Sequence, residues 1–407
     1  MEFLVTWEPS DCFTNNLACS LGLWRMIVSA IASPGVHVAI AQSQREIPSI
    51  QFNQTMTTQK TLMGLGAWAV SLALVGTNAF AGSPEIVGVE KLTLSEGANS
   101  LAVPLQGAAV FKGRVASVSG SEVLLSNTAT LVASAYAPAT SGSVALYQYV
   151  LMLRDDASAS PGNEGDWYPI TGNTTGSVTV DAGGDVLSTL FAVGDEIEIR
   201  KLRTLGDIFG AGASCILQKD ADLDETSGND LIRFLLGTSF STTVFYHDGS
   251  QIDEGYYVDG EFFGDGATVT VLPDEPVIVF RESGAGISVR ASTGRVQGFR
   301  LTHYLNAGAT TVASAFPVSS PIGTSGLKEA GFIQDNDLDE TVGNDLLRQL
   351  VGTSFLESVF YHDGTIDAAG WYVDGTINNT WPLPPGEGLV LFTAGSLKWR
   401  QEVPYRN

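Results

Sequence analysis

Cysteine, histidine and recognisable catalytic motifs are scarce in this sequence. Its 407 residues include three cysteines and four histidines. Cys12 and Cys19 fall in a segment that we expect to be absent from the mature chain, so Cys215 remains alone and an intrachain disulfide is excluded there. There is no Gly-x-Ser-x-Gly, His-Glu-x-x-His, phosphate-loop or Cys-x-x-Cys pattern. Sequence motifs therefore assign no reaction to this chain.

Positive charge is also scarce. The chain has 21 Lys and Arg against 44 Asp and Glu, for a net charge of −23. Such a balance argues against binding to nucleic acid or to an anionic membrane surface, because like charges repel. It suits a protein that stays dispersed in solution or one that gathers cations. The 45 glycines, with abundant Ser and Thr and little helical periodicity, favour strands joined by many turns.

The N-terminal part contains an internal export signal. Lys60 supplies a short positive region, the run 62–75 is apolar, and Asn78–Ala81 ends in the small residues that signal peptidase accepts. We therefore expect residues 56–81 to be a signal peptide and residues 1–55 to be an upstream extension in front of the true initiator, Met56. The expected location is outside the cytosol: periplasm, cell surface or medium. After Ala81 the chain keeps 40 acidic and 18 basic residues, so its acidity belongs to the mature protein.

A tandem repeat organises the C-terminal half. Residues 220–260 align without a gap to residues 335–375, at an offset of 115, and 27 of the 41 positions are identical. Each copy with its flanks has the size of a small domain rather than of a solenoid unit. The segment 230–236 is compatible with a strand or with two helical turns, and we favour a strand because Gly-Thr-Ser follows it.

These patterns predict a mainly β protein: an N-terminal small barrel or sandwich followed by two homologous β domains in tandem. The expected boundaries are 82–207 for the first domain, 208–305 for the first repeat and 306–407 for the second.

Several short motifs resemble a family of exported verrucomicrobial-type β-repeat proteins of unknown function. The motifs are the signal peptide, Val-Ala-Ser-Val-Ser-Gly at 115–120, Gly-Trp-Tyr-Val-Asp-Gly at 370–375, and Leu-Pro-Pro-Gly-Glu-Gly at 383–388 before an apolar strand. The resemblance covers most of residues 82–407. It implies export and β-structure, and it supplies no catalytic residues.

An acidic loop that occurs in both copies is the strongest candidate for chemistry. Calcium takes six to eight oxygen ligands, and carboxylates at alternate positions of a loop can converge on one ion. The loop differs from an EF-hand, because Glu stands at the sixth position and Leu at the twelfth. The alternative is a solvated turn whose side chains bond to their own backbone. The predicted calcium ligands are Asp220, Asp222, Asp224 and Asp230, and in the second copy Asp335, Asp337, Asp339 and Asp345.

Aromatic strands and two histidines follow each loop. Alternate residues of a strand face opposite sides, so half of these rings should pack in the core while the other half could stack on sugars. Tyr256 and its counterpart Trp371 are the predicted ligand-binding positions. His247 and His362 stand at the mouth of a tight turn, and we interpret them as structural because no nucleophile accompanies them.

The sequence therefore favours an exported, non-enzymatic protein that acts in surface or envelope structure or in adhesion. Its expected partners are a surface polysaccharide or an envelope protein, and its oligomeric state stays open. A calcium-dependent carbohydrate-binding module is the alternative. A hydrolase is a third reading, which rests only on the many acidic residues.

Overall fold

The predicted mainly β class is confirmed by the computed structural model. The structure describes residues 85–126, 131–141, 144–155, 162–221, 228–236, 239–338, 343–351 and 354–405. Within these ranges no helix has both the length and the apolar character needed to cross a bilayer.

The described chain begins with strands β1 (Val87–Leu94), β2 (Gly97–Leu101) and β3 (Leu105–Gln106). In the second half of β1, buried Leu92 and Leu94 alternate with exposed residues, which is the period of two expected for a strand with one face on a core.

A small closed barrel follows. Its six strands pair antiparallel in the order β10-β5-β4-β11-β8-β9 and surround a core that includes Phe111, Val115, Leu151 and Ile199. Gly120, with a φ of +60°, makes the tight turn between the first two barrel strands. The predicted small barrel or sandwich is thus a barrel. The elements of this region are β4 (Ala109–Ser119), β5 (Glu122–Leu125), β6 (Ala139–Ser141), β7 (Val144–Leu146), β8 (Tyr149–Asp155), β9 (Trp167–Asn173), β10 (Ser177–Val180), α1 (Leu187–Leu190) and β11 (Glu196–Lys201).

The first repeat begins after the barrel. A short helix is capped at its start by Thr204 and Asp207, whose side chains bond to each other's backbone N–H groups. The segment 231–236, ambiguous in the sequence, is a strand. The elements are β12 (Arg203–Thr204), α2 (Leu205–Phe209), a 3-10 turn (Gly212–Ser214), β13 (Leu231–Leu236), β14 (Ser239–His247), β15 (Gly255–Val258), β16 (Glu261–Phe262), β17 (Thr270–Val271), β18 (Val277–Arg281) and β19 (Ser288–Val296).

The second repeat has the same succession of strands. Phe360 pairs with Tyr372 as Phe245 pairs with Tyr257, and a β-bulge interrupts the first hairpin of both copies at positions one residue apart in the alignment. The elements are β20 (Leu301–Leu305), β21 (Gly308–Ala313), β22 (Ser320–Pro321), a 3-10 turn (Ile322–Thr324), β23 (Leu346–Val351), β24 (Ser354–His362), β25 (Gly370–Val373), β26 (Thr376–Ile377), β27 (Pro382–Leu383), β28 (Gly388–Thr393) and β29 (Leu397–Gln401).

The two repeats share one 12-stranded sheet. β2, from before the barrel, pairs with β18 of the first repeat and touches β23 of the second. β21 likewise pairs with β28 and touches β13. Because β13 also pairs with β18 and β23 with β28, these six strands form a closed ring that joins both repeats.

Strand pairing crosses the predicted boundaries of these units. Strands β1 and β2, expected in the N-terminal domain, pair with β19 and β18 of the first repeat. β20, expected in the first repeat, pairs with β29 of the second. The reason is that β18, β19 and β29 need hydrogen-bond partners along their free edges, and chain segments on the far side of a boundary supply them.

A buried carboxylate holds the barrel against the second repeat. Asp166 has no exposed surface and accepts a hydrogen bond from Thr302 Oγ1 at 2.6 Å. It also lies 2.8 Å from Lys398 Nζ and 3.2 Å from Arg400 Nε. Next to it, Trp167 Nε1 donates to the Thr302 carbonyl at 2.8 Å. The barrel is therefore fixed to the repeats by polar contacts in addition to apolar packing.

We predict that Asp166→Ala lowers the free energy of unfolding by about 3 kcal/mol, because it leaves two cations and a hydroxyl without their buried partner. Glu402→Ala is the matched control, since Glu402 is 57% exposed and forms only a surface ion pair with Arg300, worth less than about 1 kcal/mol. Urea unfolding of both variants measures the difference. Equal losses would contradict the role given to Asp166.

Candidate functional site

The described ends of the two acidic loops are buried. Asp220 and Asp230 are 1% and 0% exposed, and their counterparts Asp335 and Asp345 are 2% and 0% exposed. Asp337 is exposed. The other three predicted calcium ligands, Asp222, Asp224 and Asp339, lie outside the described residues. The structure thus places five of the eight predicted ligands.

The last aspartate of each loop braces the base of that loop. Gln218 N donates to Asp230 Oδ2 at 2.8 Å, and Asp230 N donates back to the Gln218 carbonyl. In the second copy Asp345 makes the same pair of bonds with Ile333 and also accepts from Ala394 N at 3.1 Å. These carboxylates are therefore used to hold two chain segments together.

The first aspartate of each loop lies against the end of the following hairpin. Asp220 N donates to the Tyr246 carbonyl, and Asp248 N donates to the Asp220 carbonyl; Asp335 repeats both bonds in the second copy. Asp335 Oδ2 also accepts from Leu338 N at 2.7 Å. This last bond is the local turn geometry that the sequence left open as the alternative to a calcium site.

The two histidines are buried and held by the turn that follows them. His247 Nδ1 accepts from Gly249 N at 3.0 Å, and His362 Nδ1 accepts from Gly364 N at 3.0 Å. With Nδ1 as acceptor, the proton of the neutral ring lies on Nε2, which is then a donor and not a metal ligand. His247 Nε2 lies 4.0 Å from Asp220 Oδ2. This geometry supports the structural interpretation of both histidines.

Two asparagines beside these carboxylates stand out. The side-chain amide atoms of Asn229 and Asn344 are buried and have no hydrogen-bond partner among the described residues. Buried amides without a protein partner are the kind of group that an ordered water or a bound cation satisfies. The sequence signal for them is their recurrence at equivalent places in both copies, although a structural role would give the same recurrence.

The proposed sugar-binding rings require a correction. Tyr256 has no exposed surface, and its hydroxyl donates to the Gly210 carbonyl at 2.6 Å. Trp371 is 2% exposed and packs against the Phe332 and Tyr361 rings. Both rings belong to strands that are covered on both sides, so they fill the core and present no face for stacking on a sugar.

In the described part of the chain, no group of three or more His, Cys, Asp or Glu side chains lies close enough together to hold a metal ion. Cys215 is half-buried, and burial raises the pKa of its thiol, which makes it a poor nucleophile.

No family model, curated protein or solved structure matches this chain.

Burial gives one loop carboxylate a higher pKa in the folded than in the unfolded chain. It raises the pKa of Asp230 to about 6, against the opposing effects of the Gln218 N–H group and the Arg281 cation 3.5 Å away. An aspartate in the unfolded chain ionises near pH ~3.9. Between these two values the folded protein binds more protons, so stability falls as the pH rises through this window.

We predict that ionisation of Asp230 alone lowers the free energy of unfolding by about 2–3 kcal/mol as the pH rises from ~4 to ~7. Asp230→Asn should remove this part of the slope, because an amide does not titrate. The measurement is urea unfolding of both proteins at several pH values, and only the difference in slope is interpreted, which cancels the other titrating groups. Parallel curves would show that Asp230 ionises alike in both states.

Proposed function

We propose that this chain is an exported, non-enzymatic β-repeat protein with a structural or adhesive role at the cell surface or envelope. The proposal rests on the structural role of residues that are identical in both repeats. Asp230, His247 and their counterparts Asp345 and His362 are all buried, and each accepts a backbone hydrogen bond that closes a loop or a turn. Side chains that serve the framework in this way favour a scaffold over an active site.

The shared sheet supports the same proposal. A protein that bears load or presents surfaces outside the cell gains from repeats that are joined to each other, and the pairing of β13 with β21 and of β2 with β23 joins them. The net charge of −23 keeps such a scaffold dispersed and favours partners other than nucleic acid. A surface polysaccharide or another envelope protein is the proposed partner.

The test is disruption of the gene in the native host, followed by complementation. We expect reduced surface attachment or envelope integrity, restored by the wild type and by Glu402→Ala but less by Asp166→Ala, which weakens the framework. The proposal fails if attachment and envelope integrity are unchanged while the purified chain degrades a surface polymer.

Calcium binding is the second candidate function, and the paired asparagines favour it. Asn229 and Asn344 directly precede Asp230 and Asp345 in the chain, and their buried amide atoms have no partner among the described residues. Carbonyl and carboxylate oxygens are the ligands that calcium prefers. We propose that the ion stabilises the loops. The sugar-binding part of a calcium-dependent carbohydrate module would need a surface other than Tyr256 and Trp371.

Calcium titration of residues 82–407 tests this candidate. We expect two ions per chain by calorimetry and a higher melting temperature, with both effects reduced in Asp220→Asn/Asp335→Asn. Asp265→Asn is the control, because Asp265 accepts a backbone hydrogen bond in an exposed turn and belongs to neither loop. An unchanged melting temperature at millimolar calcium would leave both loops as hydrogen-bonded turns.

A further inference from the structure

A groove between the barrel and the first repeat has a charge opposite to that of the protein. It has a volume of about 510 Å³ and is lined by the start of β4, the end of β11, β12, the start of α2 and β19. Four cations line it, Lys201, Arg203, Arg290 and Arg295, against one carboxylate, Asp207. In the whole chain acidic residues outnumber basic ones by 44 to 21, so this concentration of cations is local.

Two of the four cations already have carboxylate partners. Arg203 is 6% exposed and donates through Nη1 to Glu90 Oε1 at 3.3 Å and to the Leu105 carbonyl at 3.0 Å. Arg295 Nε lies 3.5 Å from Glu85 Oε2. These contacts position the two guanidinium groups and offset their charge. Arg203 and Arg295 therefore shape the groove more than they attract a ligand.

The other two cations have no carboxylate partner among the described residues. Lys201 is exposed at the end of β11 and forms no ion pair there. Arg290 donates through Nη1 to the Ser214 carbonyl at 3.0 Å, while its Nε is buried without a hydrogen-bond partner. Arg203 Nε is also buried without one. The groove therefore holds two cations, Lys201 and Arg290, whose charge no carboxylate of the described residues pairs with.

The single acid of the groove offsets at most one of the four positive charges. Asp207 Oδ2 accepts from Thr204 N at 3.1 Å as part of the cap of α2, so its carboxylate is committed to the helix start. Polar side chains such as Ser292 and Thr293 complete the lining. A volume of this size is that of a small-molecule site, for which typical values are about 300–1,000 Å³.

From this arrangement we infer that the groove binds a polar ligand through an oxyanion group: a carboxylate, a sulfate or a phosphate. Arginine and lysine are the residues that recognise such groups, through charge-assisted hydrogen bonds. Lys201 and Arg290 supply the binding charge, while Arg203 is a positioning residue that orders the floor beside Ser292. This site goes beyond the scaffold role and does not depend on it.

The experiment is isothermal titration of the mature chain in a chloride buffer of low ionic strength. The probes are inorganic phosphate, inorganic sulfate and a uronic acid oligosaccharide, which separate the three oxyanion sources. We expect at least one of them to bind, and each cation removed from Lys201→Gln/Arg290→Gln to weaken binding about tenfold. Added salt should weaken binding as well, because the attraction is electrostatic.

Arg114→Gln/Arg154→Gln is the matched control. It removes the same charge from the barrel at a surface ion pair with Glu196, outside the groove, and should bind the probe as the wild type does. Lys201→Gln alone removes an exposed side chain and gives a folded variant if the double substitution does not fold. The inference is overturned if no probe binds with a Kd below about 10 mM, or if both double variants lose binding equally.

Discussion

The structure depends on the antiparallel pairing of β2 with β18. This pairing spans five residue pairs, from Gly97 with Arg281 to Leu101 with Val277, between segments separated by the whole barrel. Because backbone N–H and C=O groups of a buried strand must be satisfied, β18 cannot end the sheet inside the molecule. The partner that it takes also reaches β23 of the second repeat. β2 thus completes the sheet of the first repeat, precedes the barrel in the chain and contacts the second repeat.

The second repeat meets the same need locally. β20 and β21 come first in the second repeat, and β21 pairs with β28 over six residues, from Gly308 to Ala313. The first repeat is then the same unit with a barrel inserted after β2. This view explains why a gapless sequence repeat produces two units of different lengths, and why the barrel sits on the repeats through Asp166 and Trp167.

The sequence was informative where structure is local. The order of strands, the aromatic hairpins, the strand at 231–236 and the turn held by His247 all followed from periodicity and turn residues. The partners of β1, β2 and β20 did not follow, because pairing between distant segments leaves no periodic signal. Trp371 was misjudged for a related reason: alternation divides a strand into two faces but does not show that both faces of β25 are covered.

The sequence also predicts the candidate sites only in part. The repeated aspartates were visible in the sequence, but only the structure shows that Asp230 and Asp345 hold chain segments together and that two amides have no partner among the described residues. The cationic groove had no sequence signal, since Lys201 and Arg290 are far apart in the chain and the overall charge has the other sign. Spatial convergence of isolated residues requires the fold.

The barrel and both repeats should unfold as one cooperative unit, consistent with the single compact unit to which all described residues belong. Differential scanning calorimetry of residues 82–407 measures this cooperativity. We predict one transition whose calorimetric enthalpy equals its van't Hoff enthalpy, because unfolding one repeat removes strands from the sheet of the other. Two or more resolved transitions, with a calorimetric enthalpy well above the van't Hoff value, would contradict it.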